Sequence, residues 1–416
     1  MLSSRIRLLF VLTVVAGTAL RLWLAHRQRH HVLAHGTCVP DTFDKQVSLA
    51  EHQRATYYTA AKARVEQVET VWNTAWILLA TVGGGLNLLD RWWRATGIAD
   101  PARGVLFLLS LAALTALISV PFDLYRMFVL ETRFGFNRSP VRLFLADTLK
   151  RLAVSLLLVT AGAYTVLWLM SAAPRSWWLV TAILLSAFQI ALAWLYPVVI
   201  APWFNRFGPI QDENIRARVQ KLLDHNGLGS DGVFVMDGSR RSTHGNAYIT
   251  GMGRHKRIVF FDTLLEQLSP GEIEAVLAHE IGHVKKHHLA RRLAVGNTFV
   301  LGALILLAWL GHRPWFYTGL GIAHPSPYTA LALFLIALPP FVLFLRPVAM
   351  FVSRRHEYEA DTFAARETGP TLLARALVRL YRDNATPLSV DRWYAGFYYS
   401  HPPALMRIQR LGHIMP

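Results

Sequence analysis

Cysteine is nearly missing from this chain: Cys38 is the only one in 416 residues. That excludes an intramolecular disulfide framework and a metal site built from cysteine thiolates. Charge is scarce as well, at 17% of residues, and negative charge most of all, with 26 Asp and Glu against 43 Lys and Arg. Internal repeats, low-complexity tracts and long linkers are absent. The chain is instead 53% hydrophobic, too apolar for an ordinary soluble enzyme. A formal charge of +17 raises the question of nucleic acid. The basic residues are spread over loops with no stacking platform, so anionic membrane lipids account for them better and no nucleic-acid partner is expected.

Seven long apolar runs are candidate membrane spans: Ile6 to Leu24, Val71 to Leu89, Val105 to Val120, Leu152 to Ala172, Trp177 to Ile200, Leu293 to Leu310 and Thr329 to Leu345. The first has no clear small-residue cleavage site and reads as a retained helix, with Arg21 snorkelling near one end. Cytosolic segments are enriched in Lys and Arg. With the N-terminus outside, residues 25–70, 121–151, 201–292 and 346–416 face inward and hold 35 of the 43 basic residues. The fold class expected is therefore mainly α: a polytopic membrane protein whose C-terminus lies on the cytosolic side. Four parts follow: spans one to five in residues 1–200, a soluble part in 201–292, spans six and seven in 293–345, and a second soluble part in 346–416.

Within 201–292 the run HEIGH places His279 and His283 four residues apart, which on a helix stacks both imidazoles on one face. That is a zinc-chelating pattern. Glu280 lies beside the pair, placed to take a proton from an attacking water. Ser269 and Pro270 offer a helix start ten residues before the motif. The competing reading is a surface helix with solvated side chains. A catalytic zinc needs a third protein ligand. A histidine ten positions after His279 would supply it in one class, but Leu289 stands there. The run SRRHEYEAD offers Glu357 and Asp361, one turn apart on a shared face, whereas Glu359 points about 200° away. Glu357 is expected to bind the metal and Asp361 to orient a ligand imidazole. Spans six and seven form a hairpin, which puts HEIGH and SRRHEYEAD on the same side of the membrane, both about 15 to 18 Å beyond the span ends if the helices continue. His287 and His288 are expected to be solvated on the continuing helix.

Gln211 to Asn226 reads as an amphipathic helix and Val233 to Met236 as a strand. Asn246 to Thr250 and Arg257 to Phe261 suggest a hairpin turning at Gly251 to Gly253. An exposed edge at Asn246, Ala247 and Tyr248 could pair with an extended peptide, or the hairpin could serve packing alone. Near the C-terminus, His401 in the turn SHPP is a candidate donor to an oxyanion, with Arg407 as helper or structural clamp.

Taken together, ETRFGFN (131–137), YPVVIAPWFNRF (196–207), the block from STHGNAY to FFDTLL (242–265), HEIGH, SRRHEYEAD and SHPP resemble the type I CAAX prenyl endopeptidases, integral-membrane zinc metalloproteases. The resemblance implies seven transmembrane helices enclosing a water-filled chamber, capped by a cytosolic zinc-peptidase domain with a small β-hairpin or sheet. It implies Zn2+ held by His279, His283 and Glu357, Glu280 as base, His401 near the oxyanion and residues 246–248 along a peptide or protein substrate, prenylated or not. A quality-control protease or a non-cleaving membrane scaffold is the alternative, and the complete catalytic set favours cleavage.

Overall fold

The structure, a computed structural model, describes residues 1–229, 232–252 and 255–413. Inside a bilayer every backbone N–H and C=O must be paired within its own segment, and the apolar runs satisfy this as helices. The first half comprises α1 (Leu2–Ala34), α2 (Leu49–Ala80), α3 (Gly85–Ala95), α4 (Ala102–Leu124), α5 (Val141–Ala172), α6 (Trp177–Leu195) and the single turn α7 (Ala201–Phe204). Two π-helical stretches, Tyr125–Glu131 and Tyr196–Ile200, prolong α4 and α6.

A small mixed sheet follows, in the order β1-β2-β4-β3. β1 (Phe207–Pro209) runs antiparallel to β2 (Gly232–Met236), β2 runs parallel to β4 (His255–Phe261), and β4 pairs antiparallel with β3 (Ala247–Met252). In that last pair Ala247 faces Phe260 and Ile249 faces Ile258. β1 has no counterpart in the sequence reading, because three residues that include Gly208 and Pro209 carry no alternation. The expected hairpin turn lies partly outside the described residues. Between the strands comes α8 (Glu213–His225), which starts where the Asp212 carboxylate accepts from Asn214 and Ile215 N–H.

The chain continues through α9 (Asp262–Gln267), α10 (Pro270–Lys285), α11 (His288–Leu310), α12 (Pro314–Gly319), α13 (Pro327–Val342), α14 (Arg346–Thr368), α15 (Pro370–Asp383), α16 (Arg392–Tyr398) and α17 (Ala404–Gly412). A 3-10 turn at Leu343–Leu345 joins α13 to α14, so Pro327–Thr368 forms one rod. Among the described residues six helices are long and apolar enough to cross a membrane: α1, α4 with its π turn, α5, α6 with α7, α11, and the α13–α14 rod. The expected span Val71–Leu89 is not one continuous helix. It breaks after Ala80, where Gly84 takes φ 81° and a Cβ on Gly83 or Gly85 would meet the Leu79 carbonyl at 2.8 or 2.9 Å.

Two smaller clusters and two large apolar cores result among the described residues. One joins the membrane helices through Phe10, Phe107, Leu167, Trp177, Leu307 and Tyr328. The other joins α8, the sheet, α10, α14, α15 and α17 through residues such as Val219, Phe260, Ile273, Ala364, Leu377 and Leu411. Ile273, Leu277 and Ile281 on α10 are almost wholly buried there. Each contributes roughly 1.5–3 kcal/mol relative to exposure.

Candidate active site

α10 begins at a reciprocal cap: Ser269 N–H and Oγ both donate to Glu272 Oε2, and Pro270 follows at the first helical position. The apolar face just described presses into the soluble core, which leaves His279 and His283 on the face toward α14. Gly282, the glycine of HEIGH, sits against that helix: a Cβ there would lie 3.0 Å from Ala360 Cα and 3.1 Å from Phe363 Cβ. Its missing side chain, with the small buried residues Ala360 and Ala364, lets α14 approach closely enough to bring Glu357 across.

His279 Nε2 is 3.2 Å from His283 Nε2 and 3.3 Å from Glu357 Oε2, while His283 Nε2 is 3.4 Å from Glu357 Oε1. The three donor groups lie within 4.8 Å of one another, near enough to share one ion. Glu357 is only 5% exposed. Burial opposes charging of the His279 imidazole, but Asp361 and Glu357 outweigh it and lift the group to about 9 in the metal-free chain. Burial and the neighbouring His279 pull His283 down to about 3. Glu280, on the same helix, has its carboxyl pushed up by burial.

Around these donors sits a second set of contacts. Asp361 Oδ1 lies 2.9 Å from His279 Nδ1. The same carboxylate accepts from Arg407 Nη2 at 2.5 Å and Nε at 2.9 Å, both partners being buried. Arg407 therefore clamps Asp361 and does not reach for His401 as a helper. His288 departs from expectation: it is 1% exposed, not solvated. The helix does not continue past Lys285; His287 adopts φ 55° and a new helix starts at His288, which turns that imidazole back toward the motif. His288 Nδ1 meets His283 Nδ1 at 2.9 Å, its Nε2 meets Glu359 Oε2 at 3.2 Å, and its ring stacks on His356 at 4.1 Å. His287 itself is exposed.

His401 Nε2 is 3.4 Å from Glu357 Oε2, with its side chain 62% exposed. Arg354 fixes the approach to that turn by donating to the carbonyls of Ala395, Gly396 and Tyr399. β3 is an edge strand of the sheet, paired on one side only among the described residues, and Ala247 and Tyr248 lie in it; exposed Asn246 just precedes it. One network beside this edge went unforeseen. Glu131 of ETRFGFN accepts from Tyr58 Oη at 2.6 Å and lies 3.7 Å from His244, whose Nδ1 is 3.2 Å from Asn384 Oδ1.

Residues 28–206 match the family model described as CAAX prenyl protease N-terminal, five membrane helices, and residues 209–415 match that of peptidase family M48. A CAAX prenyl protease 1 homolog from Oryza sativa is 33% identical over 73% of this chain and 72% of its own length. This chain belongs to the CAAX prenyl protease 1 family. CAAX prenyl protease 1 of Saccharomyces cerevisiae is 29% identical across 96% of the chain and 94% of its own. The crystal structure of S. mikatae Ste24p matches with a TM-score of 0.89 at 28% identity, covering 98% of both chains. As a family member the chain is an integral, multi-pass membrane metalloprotease of family M48, acting on peptide or protein substrates.

Proposed function

We propose that the chain is a zinc endopeptidase that cuts prenylated CAAX-type substrates at the cytosolic membrane face, with His279, His283 and Glu357 as metal ligands. The observation that carries this reading is the convergence of those three side chains, whose donor atoms lie within 4.8 Å of one another in a largely buried setting. Two imidazole nitrogens and a carboxylate suit zinc, and tetrahedral ligands about 2.0–2.1 Å from the ion stand roughly 3.3 Å apart. The observed separations of 3.2–3.4 Å fit. Zinc, when bound, supplies Lewis-acid polarisation of the scissile carbonyl and acidifies water.

Glu280 takes the proton of the attacking water; the upward push from burial moves it toward the pH at which a base can also return that proton to the leaving amine. His401 donates to the oxyanion that develops on the former carbonyl. Asp361, held by Arg407, orients His279, and His288, backed by Glu359, orients His283. The free edge of β3 from residue 246 to 248 receives the peptide as an added strand. Residues 201–292 and 346–416 together build the peptidase unit, and residues 1–200 and 293–345 the membrane part. The change of family model between residues 206 and 209 supports the first of those boundaries.

The C-terminal part of α2 supplies the seventh span, with the N-terminus outside and the chamber on the inner side of the helices. A polar cavity of about 490 Å3 beside α2, reached by Arg21, Lys62, Glu66 and Arg126, supports an enclosed aqueous space. The sequence names of the relatives support the substrate class. The test compares wild type with Glu280→Gln on one peptide in farnesylated and unmodified forms. Full zinc content with cleavage down at least a hundredfold is expected for the variant. Equal cleavage by both proteins removes Glu280 as the base, and equal cleavage of both peptides removes the prenyl requirement.

A further inference from the structure

The face of α14 opposite the metal lines a second cavity of about 850 Å3, closed by the segment 388–396, the start of α17 and Lys286. Its centre lies about 140° round the helix from Glu357, so it is separate from the metal site. Six cations reach it: Lys286, Arg354, Arg355, Arg366, Arg392 and Arg410. One carboxylate answers them, Glu359, which leaves a balance of six minus one, or +5. Glu359 is already engaged by His288, Arg291 and Arg355. Arg410 and Arg392 rest on the rings of Tyr358 and Trp393, and Lys286, Arg366, Arg392 and Arg410 face no carboxylate at ion-pair distance among the described residues.

The walls between these cations are largely apolar, including Phe351 and Met406. Phe351 also ends an exposed apolar stripe, Phe344, Val348, Phe351 and Val352, that runs down the α13–α14 rod from its membrane-spanning half. Exposed Trp393 follows Arg392, one of the lining cations, and is of the residue type enriched at membrane interfaces. A cationic cleft continuous with a lipid-facing stripe is complementary to one kind of molecule: negative at its head and apolar along its tail. We infer that this cleft binds the headgroup of an anionic phospholipid, its phosphate between Arg392 and Arg410 and its acyl chain along Val348 and Phe351. The inference is independent of the peptidase reading.

The full chain is reconstituted in phosphatidylcholine nanodiscs with a minority of phosphatidylglycerol, and lipid retained after delipidation is measured by native mass spectrometry. Wild type retains phosphatidylglycerol above its bulk share. Each cation near an anionic lipid weighs roughly fivefold, so the double variant Arg392→Gln, Arg410→Gln lowers retention roughly 25-fold, while the double lysine variant keeps most of it. The thermal midpoint of wild type also rises with short-chain phosphatidylglycerol and not with short-chain phosphatidylcholine, a reading that needs no variant to fold. Equal retention in the glutamine variant, or no difference between the two short-chain lipids, overturns the inference. Displacement of the lipid by millimolar inorganic phosphate, or by an acidic peptide, overturns it in favour of a soluble anion.

Discussion

Removing the carboxylate of Asp361 tests two roles at once, and the structure separates their magnitudes. Asp361 and Arg407 side chains are 2% and 6% exposed and share two short charge-assisted hydrogen bonds. Asp361→Ala leaves a guanidinium buried without its partner, a cost of about 3–5 kcal/mol. For a peptidase unit of this size that lowers the unfolding midpoint by roughly 6–20 °C. The same change frees His279 to rotate, which costs about 10- to 100-fold in metal affinity. The double variant Asp361→Leu, Arg407→Met removes both charges and restores most of the stability, since a buried pair replaced by apolar groups is near neutral. It does not restore zinc affinity. Scanning calorimetry in detergent reads the first quantity and chelator competition the second. A double variant that binds zinc like wild type, or a single variant destabilised by less than about 1 kcal/mol, refutes the reasoning.

His288→Ala is expected to weaken zinc 10- to 100-fold, with His288→Asn recovering part of the loss through a retained hydrogen bond to His283; chelator competition decides, and unchanged affinity removes the orienting role. His401→Ala should lower kcat by roughly a hundredfold or more while KM and zinc content hold, and a change confined to KM would assign it to substrate binding. In the metal-free chain His279 is raised from an ordinary value near 6.5 to about 9, so its contribution to stability is complete below 6.5 and is lost as pH rises through about 9. Zinc must displace that proton, whereas His283, near 3, carries none to lose at neutral pH. Zinc affinity therefore rises about tenfold per pH unit up to roughly 9, and calorimetry at pH 7.5 in two buffers should count about one proton released, not none or two.

The candidate metal donors were legible because their spacing is a property of the helix itself: His279 and His283 share a face by period alone, and so do Glu357 and Asp361. That Glu359 points elsewhere narrowed the proposed third ligand to Glu357 or Asp361, and the choice of Glu357 was a further assignment. What stayed hidden depends on tertiary choices. His288 follows a left-handed residue that no periodicity announces, and its burial comes from α14 and not from its own helix. The break at residues 81–84 was written in three glycines, yet the flanking apolar residues concealed it within a plausible span. β1 is too short to alternate. The cationic cleft gathers residues from four separated segments, none of which announces a shared site by itself.

Because α13 and α14 form one rod, Glu357 sits at the end of a lever whose other arm is immersed in lipid. Twelve residues separate it from Leu345, about 18 Å of arm, so pivoting by a single degree there shifts the carboxylate by about 0.3 Å. Coordination tolerates about 0.2 Å. The close seat of Gly282 against Ala360 ties α14 to α10, so the proposed ligands on the two helices shift together when the rod moves.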